Sequence, residues 1–153
     1  MCIVDFSPLV SLSKIGDGAF RESNITSPDY AVQGMGQYAI DLSKCQKLKE
    51  IPPYFMYKAS LPYYSDYFVV VLPSSITNIR EMAFASTFGV RRLDSHHLIC
   101  LAPTPPNAAS NSLFLGTSSY EDIEWLYNIK VPAASVDTYK KHPFWGQHNI
   151  KAI

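Results

Sequence analysis

The chain has 153 residues, of which 47% are apolar, and its thirteen basic residues balance thirteen acidic ones. This apolar content suffices for the core of one ordinary domain. The balanced charge argues against nucleic acid binding, which requires clustered cationic side chains to neutralise phosphates. No stretch approaches ~20 consecutive apolar residues, so we expect no membrane span.

The first residues, "MCIVDFSPLVSLS", show no secretory signal, because a basic n-region is missing and Asp5 and Pro8 interrupt the apolar run. Two expectations stay open: a cytoplasmic protein, or one whose leader has been removed. The three cysteines, Cys2, Cys45 and Cys100, are far apart and form no CxxC motif. They are therefore predicted to be buried free thiols.

Three stretches of the chain share one pattern: "LSKIGDGAF" from Leu12, "LKEIPPYF" from Leu48 and "ITNIREMAF" from Ile76. Each has an aliphatic residue, two polar residues, isoleucine, a short turn and then phenylalanine. The pattern predicts a short strand or bend, a reversal, and a ring inserted between neighbouring units. One unit cannot bury its own apolar face, so units must stack, as in a solenoid. On this reading Phe20 is a core residue and Asp17 an exposed turn residue.

A second pattern, "IDLSKCQKL" from Ile40 to Leu48, partly fits a leucine-rich repeat, with Ile40 and Leu42 pointing inward and Cys45 at the Asn/Cys position. The remaining prediction is coarse. A helix is expected from its N-cap at Ser135 to about Lys141, where Pro143 prevents continuation. Short strands are predicted at residues 30–32, 68–72, 98–101 and 129–131.

These motifs resemble the BspA-type leucine-rich-repeat proteins of Bacteroides-like bacteria. The stretch "VVLPSSITNIREMAF" (70–84) is similar to a full repeat of that family, and "LICLAPTPPNAAS" (98–110) and "IKVPAASVDTYKKHPFWGQHNIKAI" (129–153) resemble the usual C-terminal end. The repeats and the resemblance together predict a repeat solenoid: a short, irregular leucine-rich-repeat right-handed β/α superhelix. Residues 1–101 would form its units, and residues 102–153 a C-terminal capping segment of the same domain.

Three local patterns could carry chemistry, and each is better explained as loop or edge residues. "QGMGQYA" (33–39) lacks the context of a dinucleotide site. The adjacent histidines His96 and His97, beside Asp94, would point to opposite faces of an extended chain and rarely share a metal ion. A carboxylate run, Glu121, Asp122 and Glu124, lies before an aromatic stretch. We therefore expect no catalytic residue, no metal and no cofactor.

The aromatic insertion "YFMYKASLPYYSDYF" (54–68) is the most distinctive local feature. Tyrosine has a flat apolar face and a polar tip, which suits sugar stacking or protein contact. The simpler interpretation is that these rings complete the core. The candidate surface residues are Tyr54, Tyr57, Tyr63, Tyr64 and Tyr67.

The family resemblance implies a non-catalytic protein on the cell surface, or secreted, of a host-associated bacterium. It would act in adhesion or protein–protein recognition, with a host or extracellular-matrix protein or a surface glycan as partner. One alternative is a carbohydrate-binding accessory module that uses the tyrosine-rich insertion. A second alternative is a hydrolase built on Glu121, Asp122 and the nearby histidines.

Overall fold

The computed structural model describes residues 6, 8–23, 40–59, 70–85, 98–108 and 128–153. Within these residues the chain forms eight short strands and one α-helix. The strands are β1 (Ile40–Asp41), β2 (Glu50–Ile51), β3 (Val70–Leu72), β4 (Asn78–Ile79), β5 (Leu98–Cys100), β6 (Asn107–Ala108), β7 (Asn128–Val131) and β8 (Asn149–Ala152). The helix, α1, is Val136–Lys141, with 3₁₀ turns at Ala133–Ser135 and Trp145–Gln147 on either side.

The strands form two parallel sheets. Five of them pair in the order β1-β3-β5-β7-β8, and the other three pair in the order β2-β4-β6. The predicted fold class, a leucine-rich-repeat solenoid with a right-handed β/α superhelix, is therefore wrong: the described residues form two parallel sheets with one short helix, an α/β-like arrangement. The repeated motif specifies which side chains turn inward at each short strand. Parallel pairing in two sheets also turns these side chains inward, so the repeated motif does not distinguish this arrangement from a solenoid.

The core of the larger sheet is a row of aliphatic side chains, one from each strand at the same register position. All five are at most 4% exposed. Burial of such a side chain stabilises the fold by roughly 1.5–3 kcal/mol. The row consists of Ile40, Val70, Leu98, Ile129 and Ile150.

The predicted inward residues of "IDLSKCQKL" are confirmed. Ile40, Leu42, Cys45 and Leu48 are fully buried, while Asp41 between the first two is exposed. Asp41 instead accepts a hydrogen bond from the backbone N–H of Ser43 at 2.8 Å, which orders the turn after β1. The alternation of strand side chains thus determines which residues enter the core.

Four phenylalanine rings form a column beside the smaller sheet. Successive ring centroids lie 6.0, 5.3 and 6.0 Å apart, and each pair is edge-to-face, the arrangement that aromatic pairs prefer. The rings, in order, are Phe6, Phe20, Phe55 and Phe84. The sequence alignment of the last three is confirmed, although Phe20 is only partly buried.

The turns of the three similar motifs share one backbone feature. Gly18, Tyr54 and Met82 all have a left-handed φ, of 62°, 56° and 57°. Backbone hydrogen bonds join the turns: Gly18 N–H donates to the Pro53 carbonyl at 3.0 Å, and Tyr54 N–H to the Glu81 carbonyl at 3.2 Å. Glycine adopts this conformation without a steric penalty, so the Gly-Asp-Gly stretch serves to form the turn. Its Asp17 is exposed, as predicted.

The C-terminal segment connects two parallel strands through the helix. The chain leaves β7, passes through α1 and returns as β8, a βαβ connection. The helix was correctly predicted: Ser135 stands at the N-cap, although its hydroxyl makes no capping hydrogen bond. Asp137 in the first turn and the lysines in the last turn complement the helix dipole. The predicted boundary between residues 1–101 and 102–153 stays a prediction.

The predicted strands agree with the structure wherever it describes them. Those expected at 68–72, 98–101 and 129–131 are found at Val70–Leu72, Leu98–Cys100 and Asn128–Val131. The strand expected at 30–32 lies outside the described residues.

The hydroxyl of Tyr139 ties α1 to the segment after β5. Tyr139 is fully buried, and its Oη donates to the Ala102 carbonyl at 2.9 Å, with Cys100 Sγ at 3.3 Å. We expect Tyr139→Phe to lower the free energy of unfolding by about 1–2 kcal/mol, because a buried acceptor loses its donor. Urea denaturation measures this. Tyr54→Phe, at a ring that is 38% exposed, is the control and is expected to change little.

Candidate functional site

An exposed group of two tyrosines and two cations is the candidate site, and we call it the tyrosine–arginine cluster: Arg21, Tyr54, Tyr57 and Lys58. The Arg21 Cζ atom lies 5.8 Å from the Tyr54 ring centroid and 5.5 Å from that of Tyr57. The Lys58 Nζ atom lies 5.2 Å from the Tyr57 ring. These are cation–π distances, so both cations are held against the aromatic faces.

The two tyrosine rings meet at a right angle. Tyr54 and Tyr57 have centroids 5.5 Å apart and an interplanar angle of 88°. Tyr54 is 38% exposed, and Tyr57 is partly buried. The simpler interpretation, that these rings complete the core, does not describe Tyr54. The pair is also not a flat stacking platform, because its rings are perpendicular.

Backbone hydrogen bonds join the turns that carry the cluster. Glu22 N–H donates to the Tyr57 carbonyl at 2.8 Å, and Lys58 N–H donates to the Ala85 carbonyl at 3.0 Å. Three of the four left-handed non-glycine residues in the described part of the chain lie here: Glu22, Tyr54 and Lys58. Such conformations cost about 1–2 kcal/mol each and persist only where the surrounding structure fixes them. The cluster is therefore held in a defined geometry.

Sequence reasoning identified Tyr54 and Tyr57 but missed Arg21, which lies 33 residues before Tyr54 in the chain. The motif alignment held a usable signal, since it pairs Phe20 with Phe55 and so places the residue after Phe20 beside this turn. The other three predicted surface residues, Tyr63, Tyr64 and Tyr67, lie outside the described residues. Their part in a binding surface stays a prediction.

The two described cysteines are unsuited to nucleophilic chemistry. Cys45 and Cys100 are buried free thiols, as predicted. Burial raises the pKa of both thiols, and Asp41 raises the pKa of Cys45 further. Hydrogen bonds from Tyr139 and Ala102 oppose the effect at Cys100 without reversing it. A raised pKa keeps a thiol protonated at neutral pH, and the thiolate is the reactive form. Cys2 lies outside the described residues.

The other predicted patterns fall where the structure gives no description. The glycine motif at 33–39, the Asp94–His97 group and the carboxylates from Glu121 to Glu124 all lie outside the described residues. Within the part of the chain that is described, no three His, Cys, Asp or Glu side chains gather as metal ligands. No helix in that part is both long and apolar enough to cross a membrane.

A shallow groove of about 450 Å³ lies between α1 and the loop before β6. Its walls include Pro105 and Pro143, and its polar groups include Asp137 and Lys141. His142 borders the groove, but its Nδ1 accepts the backbone N–H of Phe144 at 3.2 Å, so the ring serves the turn after α1.

The imidazole of His148 is expected to make stability depend on pH. Burial lowers its pKa from 6.5 to about 4, because the charged form is desolvated. A lowered histidine pKa means that the folded state binds fewer protons than the unfolded state. Stability is therefore full above about pH 6.5 and falls as the pH drops towards 4, by up to roughly 3 kcal/mol.

Urea denaturation at about pH 7.5 and about pH 4.5 tests this dependence. His148→Gln removes the titrating group and should flatten the change between the two pH values, whatever its effect on stability at neutral pH. An equal loss in both proteins on acidification would show that other groups are responsible.

Comparisons of the chain with protein-family models, with curated proteins and with solved structures give no match.

Proposed function

We propose that the protein is a non-catalytic protein-interaction module that acts in adhesion at a cell surface, and that the tyrosine–arginine cluster is its contact surface. The observation that carries this proposal is the exposed Arg21 that lies against the rings of Tyr54 and Tyr57. Arginine and tyrosine are among the residues that most often dominate binding energy in protein interfaces.

The side chains of the cluster are already restricted before a partner binds, which lowers the entropic cost of binding. Long exposed side chains lose rotamer freedom on binding, at about 0.5–1.5 kcal/mol each. Cation–π contacts already restrict Arg21 and Lys58, and hydrogen-bonded turns hold both tyrosines. These side chains therefore lose less conformational entropy when a partner binds.

The adhesion part of the proposal rests on sequence. The resemblance of "VVLPSSITNIREMAF" and of the C-terminal segment to BspA-type proteins supports a secreted or surface-attached protein of a host-associated bacterium. A host or extracellular-matrix protein is then the proposed partner.

A protein partner is favoured over a glycan by the ring geometry. Sugar stacking needs an open aromatic face, and Arg21 lies against both tyrosine rings. The perpendicular rings also present no shared plane. A sugar ring therefore finds little open, coplanar aromatic surface at Tyr54 and Tyr57.

Binding of the wild-type protein to a panel of immobilised matrix proteins, beside a glycan array, tests the proposal. Tyr57→Ala is expected to weaken binding to the matrix protein at least about tenfold, the size typical of an interface hot spot. Arg80→Ala is the matched control, because Arg80 is also exposed but pairs with Glu50 and Glu81. Binding that Tyr57→Ala leaves intact, or binding on the glycan array alone, would contradict the proposal.

A further inference from the structure

The tyrosine–arginine cluster carries more positive than negative charge. Arg21 and Lys58 lie within 5.5 Å of the same ring, that of Tyr57. Among the described residues, the ion pairs place one carboxylate against these cations: Glu22 Oε1 is 3.3 Å from Arg21 Nε. The side chains of this pair are 54% and 58% exposed, so solvent weakens the interaction.

The guanidinium of Arg21 is fixed on one side and accessible on the other. Its Nε edge is turned to Glu22, and the described residues offer no hydrogen-bond acceptor to its terminal amino groups. Guanidinium presents its N–H donors as a planar fork that matches the two oxygens of a carboxylate. Contact with two aromatic rings restricts this fork before any partner arrives.

Arg80 provides an internal contrast. It is exposed to a similar extent, but its Nη1 lies 3.5 Å from Glu50 Oε2 and its Nε 3.6 Å from Glu81 Oε2. Two acids of the chain therefore compensate its charge. No aromatic ring within the described ranges lies at cation–π distance from it. An external carboxylate would gain less at Arg80 than at Arg21.

We infer that the tyrosine–arginine cluster recognises an acidic segment of a partner protein, with a carboxylate of that segment on the Arg21 fork and Lys58 as the second cation. Apolar side chains of the segment pack on the exposed parts of Tyr54 and Tyr57. Glu22 competes with the incoming carboxylate for Arg21 and so limits the affinity. This inference rests on the proposed function and adds the chemistry of the partner.

Selection from a random-peptide display library on the full chain tests the partner's chemistry without a known ligand. Peptides enriched on the wild-type protein are expected to contain more Asp and Glu than those enriched on Arg21→Gln. The best peptide and a copy with Gln and Asn in place of Glu and Asp then serve as probes in fluorescence anisotropy.

Substitutions at Arg21 and at Glu22 are expected to change the affinity for the acidic probe in opposite directions. Arg21→Gln is expected to weaken binding about tenfold or more, as expected for loss of a charge-assisted pair. Glu22→Gln is expected to tighten binding about two- to fivefold, because the internal competitor loses its charge. Arg80→Gln should leave the affinity unchanged, and added salt should weaken the wild-type complex.

The outcomes separate the inference from the proposed function. Enriched peptides that lack acids but still require Tyr57 would overturn the acidic partner and leave the contact surface standing. Weaker binding in Glu22→Gln would also overturn it. Peptides that bind independently of both Tyr57 and Arg21 would contradict the proposed function itself. If polygalacturonate binds and no acidic peptide is enriched, the partner is an anionic glycan and not a protein segment.

Discussion

Replacing Gly146 with alanine is expected to destabilise the protein by about 3 kcal/mol or more, through a clash that no side chain can relieve. A Cβ atom at this position would lie 2.2 Å from the carbonyl oxygen of Lys140 and 3.0 Å from its carbonyl carbon. Both atoms belong to the backbone of α1. The 3₁₀ turn Trp145–Gln147 would therefore have to move away from the helix.

That movement would disturb the C-terminal packing. Trp145 is fully buried, contacts the ring of Tyr139, and donates its indole N–H to the Pro106 carbonyl at 2.8 Å. Urea denaturation followed by far-UV circular dichroism measures the loss.

Gly16→Ala is the matched control for this substitution. An added Cβ at Gly16 would meet no atom within 4 Å. A surface change of this kind usually stays within about 0.5 kcal/mol. If both variants lost similar stability, the close approach at Gly146 would not be the cause.

Phe55→Ala is expected to lower the free energy of unfolding by about 3–5 kcal/mol, the range for a buried phenylalanine that leaves a cavity. Phe55 is 0% exposed and stands inside the phenylalanine column, with Phe20 at 5.3 Å and Phe84 at 6.0 Å between ring centroids. Its loss therefore removes edge-to-face contacts on two sides. Thermal and urea denaturation both measure the change.

The position of each phenylalanine in the column predicts how much stability its replacement by alanine removes. The order of these losses tests whether the ring contacts stabilise the fold. Phe20 is only partly buried, so Phe20→Ala should cost less than Phe55→Ala. Asp17→Ala, at an exposed turn residue, should cost least. A larger loss for Asp17→Ala than for either phenylalanine would contradict the assignment of the rings as the stabilising element.

Local patterns in the sequence predicted several of the strands and the inward side chains, because these depend on short-range alternation. The strands β6 and β8 were not predicted. The apolar spacing at Ile40 and Leu42 corresponds to buried residues in the structure, as do two of the shared phenylalanines, Phe55 and Phe84, while Phe20 is partly buried. The grouping of strands into two sheets was not predicted. Which strands share a sheet depends on pairing between residues far apart in the chain, and the repeated motif is alike in every copy.

In the candidate site, too, the residues close together in the chain were predicted and the distant one was not. Tyr54 and Tyr57 stand out as aromatic residues in one short stretch, so composition alone identifies them. Arg21 becomes part of the site only because its turn packs beside theirs through backbone hydrogen bonds. A contact between residues more than 30 positions apart leaves no mark in local composition.

The left-handed turn position at Tyr54 has a consequence for protein engineering. An L-residue with a side chain costs about 1–2 kcal/mol in this conformation, and glycine relieves that cost. Stability-guided redesign would therefore replace Tyr54 with glycine, as Gly18 already stands at the equivalent position. The same change would delete one of the two rings that hold Arg21. Variants selected only for heat resistance would be expected to lose the proposed contact surface while keeping the fold.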